Sequence, residues 1–441
     1  MKTRHVSVVA VAAALALAGC SNSSTSTTNS PAASNPQTST GTSGSPSASA
    51  AGCTDTATLN VTLMKDSINA ATQQAAVDEM KKVCPNVTVN VQILTWDVRA
   101  AKWTAAWSAT PATIDAAEMG NTDVLSWATQ GAIAELQPTS FENSDQWLDS
   151  LKAAGTVDGK LYGVPYYAGA RVLWYNKKMV GSATAPTTLD DLQKLAAGLK
   201  TSTVSGIYMP GRNWYVNTSF LVDAGMTELA TKTGSTWKVN INSPEAVKGL
   251  DRLKTFVAAV SNAPATVDEL NDAPVFGQKK TAMLIEPGWW NGVITDTKKG
   301  GQAFPAADLG AWTLPGTNGP LPQFLGGSNL VVAANSAHKD LATLWTKVLS
   351  GTVVQTLIAK SGAIPNVKTL VDQVPEGPGK MAAAAATGKG WFTPTSVNWS
   401  KVETDNIMKD FYQKILTSGS NTQAVADEYA KKIETILNAA S

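Results

Sequence analysis

Fourteen tryptophans, against eight tyrosines and eight phenylalanines, are the first chemical signal in this chain. Indole offers the widest π face of any side chain, and the weakly positive C–H patches of a pyranose ring pack well on such a face. Tryptophan also fills cores, so position decides which of them could meet a ligand. Five stretches read as strand ends leading into helices, where ligands of open α/β sheets bind. They are Lys65-Asp66-Ser67, Thr95-Trp96-Asp97, Gly120-Asn121-Thr122-Asp123, Pro210-Gly211-Arg212-Asn213-Trp214 and, after Glu286, Pro287-Gly288-Trp289-Trp290. Together they offer carboxylates and amides for sugar hydroxyls, with indoles for the ring. Taken singly, Asp66, Asp97, Asn121 and Asp123 are equally well explained as helix caps.

Catalytic chemistry finds much less to work with. His338, the one histidine beyond the first twenty residues, follows Asn335-Ser336 and reads as a solvent-facing residue at a helix start. No Ser-His-Asp set, glycine-rich phosphate loop or histidine-based zinc motif can be assembled. The expectation is therefore a protein that is not an enzyme and uses no cofactor and no metal. The rival is a surface glycoside hydrolase, which needs two carboxylates roughly 5 to 9.5 Å apart across one bond; Glu286, Glu118 and Asp97 are its candidates. A third reading is a receptor for a solute other than sugar.

The elements that would position these groups alternate. Residues 59–64, 87–94 and 113–119 read as strands, and residues 70–83, 189–199 and 245–260 as helices, with Thr188 and Ser243-Pro244 at two helix starts. This argues for α/β architecture with largely parallel sheets. From Cys53 onward the chain exceeds what one core usually holds and favours two lobes. Residues 161–178, LYGVPYYAGARVLWYNKK, look like the crossing: Gly163 and Pro165 interrupt an apolar strand that resumes at Val172, which would leave Tyr166, Tyr167 and Arg171 where the lobes face each other. Residues 309–314 read as a connecting strand and residues 324–333 as a return strand. Residues 402–416 and 422–437 read as two closing helices.

The same stretch resembles the family 1 extracellular solute-binding proteins, the maltose-binding-protein-like receptors of carbohydrate ABC importers. The resemblance lies in Tyr162-Gly163-Val164-Pro165 followed by a strand ending Tyr175-Asn176-Lys177, and it runs from about Leu59 to the C-terminus. It implies a two-lobed, type II periplasmic-binding-protein-like fold, each lobe a mostly parallel sheet flanked by helices and joined by hinge strands. The first lobe would be residues 53–164 with 310–365 and the second 165–309 with 366–441, hinging near Pro165, Pro315 and Pro365. The resemblance makes Trp289 the platform that stacks on sugar, with Trp290 packing inward. Trp214 and Trp399 match aromatic positions, and Asp66 and Asn121 match polar positions of the first lobe. Gly327 and Ser328 fall in a glycine-rich return strand that approaches ligand closely. Trp96, Asp97, Asp123, Arg171 and Glu286 complete the candidate set. The family's early tryptophan is replaced by Thr62-Leu63-Met64, and its Pro-Asp-Val by Pro111-Ala112-Thr113-Ile114-Asp115. Gly120–Asp123 and Ala168–Arg171 look most like members that take β-linked disaccharides or amino-sugar dimers. The implied partners are a di- or oligosaccharide and the transmembrane subunits of an ABC permease, with the receptor acting as a monomer.

Lys2 and Arg4, an apolar run over residues 6–18 and Leu17-Ala18-Gly19-Cys20 form a lipoprotein leader (1–19) with Cys20 as the acylated residue. This predicts export and a lipid anchor on the outer face of the membrane; the alternative is a plain secretory signal with an incidental cysteine. The Ser/Thr-rich linker to residue 52 cannot build a core and is expected to be disordered. Cys53 precedes the first strand and Cys84 ends the first helix, so both fall at one sheet edge. A disulfide there would stabilise by about 3 to 4 kcal/mol, the alternative being two free thiols. A formal net charge of +1 with no long basic run argues against nucleic acid as a partner.

Overall fold

The computed structural model describes Cys53 and residues 56–269, 272–295, 304–386 and 390–439; the predicted leader, Cys20 and the linker lie outside these residues. Two sheets are built from β1 (Ala57–Met64), β2 (Val87–Leu94), β3 (Ala116–Gly120), β4 (Val164–Gly169), β5 (Arg171–Asn176), β6 (Ser205–Tyr208), β7 (Thr281–Pro287), β8 (Leu309–Trp312), β9 (Gly326–Val332) and β10 (Ile364–Pro365). The first sheet has six strands in the order β10-β4-β9-β3-β1-β2, and the second four in the order β8-β5-β7-β6. β1 pairs in parallel with β2 and β3, and β7 in parallel with β6. The remaining pairs are antiparallel, because β4, β5, β8, β9 and β10 carry the chain between the lobes and return across each sheet. Both sheets are thus mixed, less parallel than the alternation of elements implies.

Helices follow the parallel strands and bring the predicted junctions to one edge. Ala70–Val83 follows β1, Arg99–Trp107 follows β2, Val124–Thr129 follows β3 and Trp214–Asp223 follows β6. Several starts are capped as their sequence requires. Asn69 accepts from Thr72 N–H, Thr188 from Asp191 N–H and Ser243 from Ala246 N–H, each cap contributing about 1 kcal/mol. Each lobe has its own core. Leu59, Val61, Leu63, Met80, Tyr166 and Trp345 cluster around the first sheet, and Leu192, Leu250, Leu253, Phe256 and Phe411 around the second. Among the described residues no single helix is long and apolar enough to cross a membrane. Cys53 and Cys84 are joined as a disulfide, with Cα atoms 4.9 Å apart.

The lobe boundaries differ from those drawn on the sequence. β4, including Pro165, belongs to the first sheet, so the crossing falls at Gly169-Ala170-Arg171. Pro165 is accommodated because the β4–β9 register shifts opposite it, between Ser328 and Asn329, where a missing N–H interrupts no regular ladder. β8 pairs with β5 in the second sheet, and Trp312 stacks on Tyr175 with ring centroids 4.0 Å apart. The second lobe therefore keeps the chain to Trp312 instead of releasing it at residue 309. Residues 324–333 are not one strand. Gln323–Phe324 pairs with Gly390–Trp391, while β9 joins the first sheet. The first closing helix is also divided, into Trp399–Thr404 and Ile407–Leu416, by Asn406 in the left-handed region at φ 56°.

Candidate functional site

The junctions after β2 and β3 form one group on the first lobe. Asp123 stands at the start of Val124–Thr129 but makes no side-chain cap there. Its Oδ2 instead accepts from Nε and Nη2 of Arg99, each at 2.9 Å. The Arg99 guanidinium lies 5.5 Å from the centre of the Trp96 ring and also donates to Trp96 O. Asn121 is tied to the return strand, its N–H donating to Gly327 O at 3.1 Å and its Nδ2 to Leu325 O at 3.2 Å. Asp66 is partly accessible in a turn at φ 64°. Asp97 points away into solvent, where a hydrogen bond from Thr95 holds its carboxyl below the usual range.

The second lobe supplies an aromatic floor. Trp214 and Trp399, both nearly fully buried, have ring centroids 6.2 Å apart, and Trp214 also packs against Trp391 at 5.7 Å. Tyr215 lies on Trp214 at 4.2 Å and is partly accessible, making it the surface of that floor. Above its ring, 5.2 Å away, sits the Arg171 guanidinium, which donates from Nη2 to Glu269 at 2.9 Å. Gln323 fixes the Arg171 backbone by a reciprocal pair of hydrogen bonds. Glu286 is buried beside Asp272, and burial, followed by the charge of Asp272, holds its carboxyl well above the usual range.

Trp289 is partly accessible and leans on the crossing strand. It meets Tyr167 edge to face at 6.0 Å, and a Cβ on Gly169 would lie 2.3 Å from its ring, so a side chain there would have to displace the indole. Trp290 packs with Phe276, Ile294 and Phe304. Ser328 is closed inside the first sheet. Its hydroxyl donates to Glu118 Oε1 at 2.9 Å, and Glu118 also accepts from Met64 N–H, Ser67 and Tyr167 at 2.8 to 3.0 Å. Gly327 lies beside it at φ 153°, where a Cβ would meet Tyr167 O at 2.4 Å.

Across the seam the lobes touch directly. Glu403 Oε2 accepts from the Thr122 hydroxyl at 3.2 Å and Oε1 from Trp399 Nε1 at 2.8 Å, while the Ser400 and Ser126 hydroxyls lie 3.0 Å apart. Asn121, Thr122, Asp123, Trp96, Arg171 and Trp289 therefore stand around one seam with Tyr215, Arg99, Glu269 and Glu403, which the sequence reading passed over. Two of these left a signal in the sequence. Arg99 opens its helix three residues after Trp96 in the preceding turn, and Glu403 stands one helical turn after Trp399, a spacing that places that pair on one face. The three hydrolase candidates do not converge: Glu118 and Glu286 are closed in different sheets and Asp97 is on the surface. Among the described residues no group of His, Cys, Asp and Glu could hold a metal ion.

Known proteins bear directly on this arrangement. Residues 75–387 match the family described as bacterial extracellular solute-binding protein. The chain is 33% identical over 337 residues to the diacetylchitobiose binding protein DasA of Streptomyces coelicolor, covering 74% of this chain and 76% of that one. It is 26% identical over 226 residues to the maltodextrin-binding protein MdxE of Bacillus subtilis, covering 49% and 51%. Two solved structures share the fold. The GacH receptor of Streptomyces glaucescens has a TM-score of 0.75 at 20% identity, covering 88% of this chain and all of that one. Maltose-bound MalE3 of T. maritima has a TM-score of 0.73 at 18% identity, covering 86% and 100%. The chain thus belongs to the bacterial extracellular solute-binding proteins, and its two lobes have the maltose-binding-protein-like fold.

Proposed function

We propose that this protein captures a sugar, a di- or oligosaccharide, between its lobes and delivers it to the transmembrane subunits of an ABC importer. The observation that carries the reading is the seam itself. Partly accessible Trp289 and Tyr215 stand there with Arg171, Glu269, Asp123 and Arg99, so π faces and charged hydrogen-bonding groups converge from both lobes. This is the mixture a pyranose needs. The relationship to the diacetylchitobiose and maltodextrin binding proteins supports the same class, the former pointing to a dimer of N-acetylated amino sugars. Trp289 serves as the stacking platform and Tyr215 as the floor. Arg171 with Glu269, and Asp123 with Arg99, meet the hydroxyl and amide groups, and Asn121 and Asp66 line the first lobe.

Ligand held by both lobes favours the closed arrangement by the contacts it makes only there. The chain closes about Gly169-Ala170-Arg171 and the other crossings, and the permease reads the closed shape. As a member of an extracellular family the protein is exported; acylation at Cys20 then holds it, as a monomer, to the membrane. Titrating intrinsic tryptophan fluorescence with N,N′-diacetylchitobiose, maltose and glucose tests the reading. Saturation with a disaccharide, without cleavage of it, is the expected result. No response to any sugar in a calorimetric repeat would reject it, and release of monosaccharide would move the reading to the hydrolase.

A further inference from the structure

The seam carries more carboxylate than it has cation to match. Arg99 is committed to Asp123 through two hydrogen bonds of 2.9 Å onto one oxygen. Glu403 reaches the same place from Trp399–Thr404 in the other lobe, where, among the described residues, its carboxyl accepts hydrogen bonds only from neutral donors, Thr122 at 3.2 Å and Trp399 at 2.8 Å. The titratable groups facing it are Asp123 and Arg99 from the first lobe and Tyr215 from Trp214–Asp223. On its own helix, Lys401 is turned away to Asp405, 3.2 Å distant. One guanidinium therefore serves two carboxylates brought together by contact between the lobes.

We propose that Glu403, with Thr122, Asp123 and Arg99, is a proton-sensitive latch between the lobes, favouring the closed arrangement when its carboxyl is neutral and opening when it is ionised. The latch rests on the two-lobed closure described above and shares Asp123 and Arg99 with the proposed sugar contacts, whereas Glu403 and Thr122 belong to the latch alone. Opening the seam separates Glu403 from Thr122 and Asp123 and returns it to water. Burial, followed by the charge of Asp123, pushes the Glu403 carboxyl up to about 7 in the closed arrangement. The hydrated carboxyl of an open cleft titrates in the ordinary glutamate range, near about 4.3. The closed state then binds the proton more tightly. Acidification from about pH 7 toward about pH 4.5 favours closure, and the gain is lost as pH rises through about 7.

Small-angle X-ray scattering of the sugar-free, full-length protein at about pH 5.5 and about pH 8 reads the latch directly. The radius of gyration is expected to be smaller at the lower pH. Glu403→Gln, which keeps the carboxamide neutral, is expected to stay compact at both. A wild-type radius that does not change with pH, or a pH response that survives unaltered in Glu403→Gln, overturns the proposal. Should Glu403→Gln fail to fold, Thr122→Val decides. It removes a donor to the ionised form, so the midpoint of compaction must move to higher pH, and an unmoved midpoint overturns the latch. With no sugar present, a wrong assignment of the ligand can neither produce nor hide these outcomes.

Discussion

At the scale of single residues, Trp289 and Gly169 work as a pair. The indole is partly accessible because it rests edge-on against Tyr167 and fills the space a side chain at residue 169 would take. Trp289→Ala removes a stacking face worth about 0.5 to 1.5 kcal/mol and is expected to weaken sugar binding by about two- to twelvefold in calorimetry, with the thermal midpoint nearly unchanged. Gly169→Ala should weaken binding too, although it touches no sugar, because the new methyl displaces the indole. Equal affinity in Gly169→Ala would show that the platform does not depend on its seat. Trp289 stands as the candidate platform through the resemblance of residues 281–290 to the family's strand, Gly/Pro turn and tryptophan. Nothing in the sequence singled out Tyr215, a tyrosine beside a more conspicuous tryptophan. Its role as the accessible surface comes from Trp214 being buried beneath it, a matter of packing that no local pattern encodes.

At the scale of elements, Glu118 ties together the strand ends of the first sheet that lead to the proposed site. Four donors from β1, the turn after it, β4 and β9 converge on this carboxylate. Burial raises its pKa and those hydrogen bonds lower it, the net direction being upward. Glu118→Leu leaves buried donors unpaired in strands that must stay in register, and is expected to cost about 3 kcal/mol or more in urea unfolding. A cost below about 1 kcal/mol would mean the donors find water or one another. Glu118→Gln, which retains the acceptor, should recover most of the loss. Strands such as β1 and β2 and capped helices such as Leu189–Leu199 were legible because their patterns and caps are local. The crossing was not. Whether Val164–Gly169 stays with the first sheet depends on partners at residues 326–330 and 364–365, far away in sequence, and the same distance hid the pairing of Leu309–Trp312 with β5.

At the scale of the whole molecule, the disulfide and the proposed ligand site occupy opposite ends of the first sheet. The disulfide fastens the beginning of β1 to the end of the helix Ala70–Val83, whereas Asp66 follows the far end of the same strand. An eight-residue strand spans roughly 25 Å at about 3.3 Å per residue, so the two ends are separated by the length of a lobe. The family and the two-lobed design were legible in the order of motifs along the chain, because each lobe repeats a local strand-to-helix grammar. The division of labour between the two ends was legible only in part, through the expected pairing of the cysteines. Cys84→Ser releases a 31-residue separation in the unfolded chain and is expected to lower the unfolding free energy by about 3 to 4 kcal/mol. Below its lowered transition the variant should bind the same sugar with wild-type affinity, since none of the seam residues moves with the cysteines. Calorimetry at low temperature, alongside thermal unfolding, separates the two effects. Weakened binding in a folded Cys84→Ser protein would mean that strain at the closed end of the sheet reaches the ligand edge through β1, and that the first lobe does not act as a rigid half.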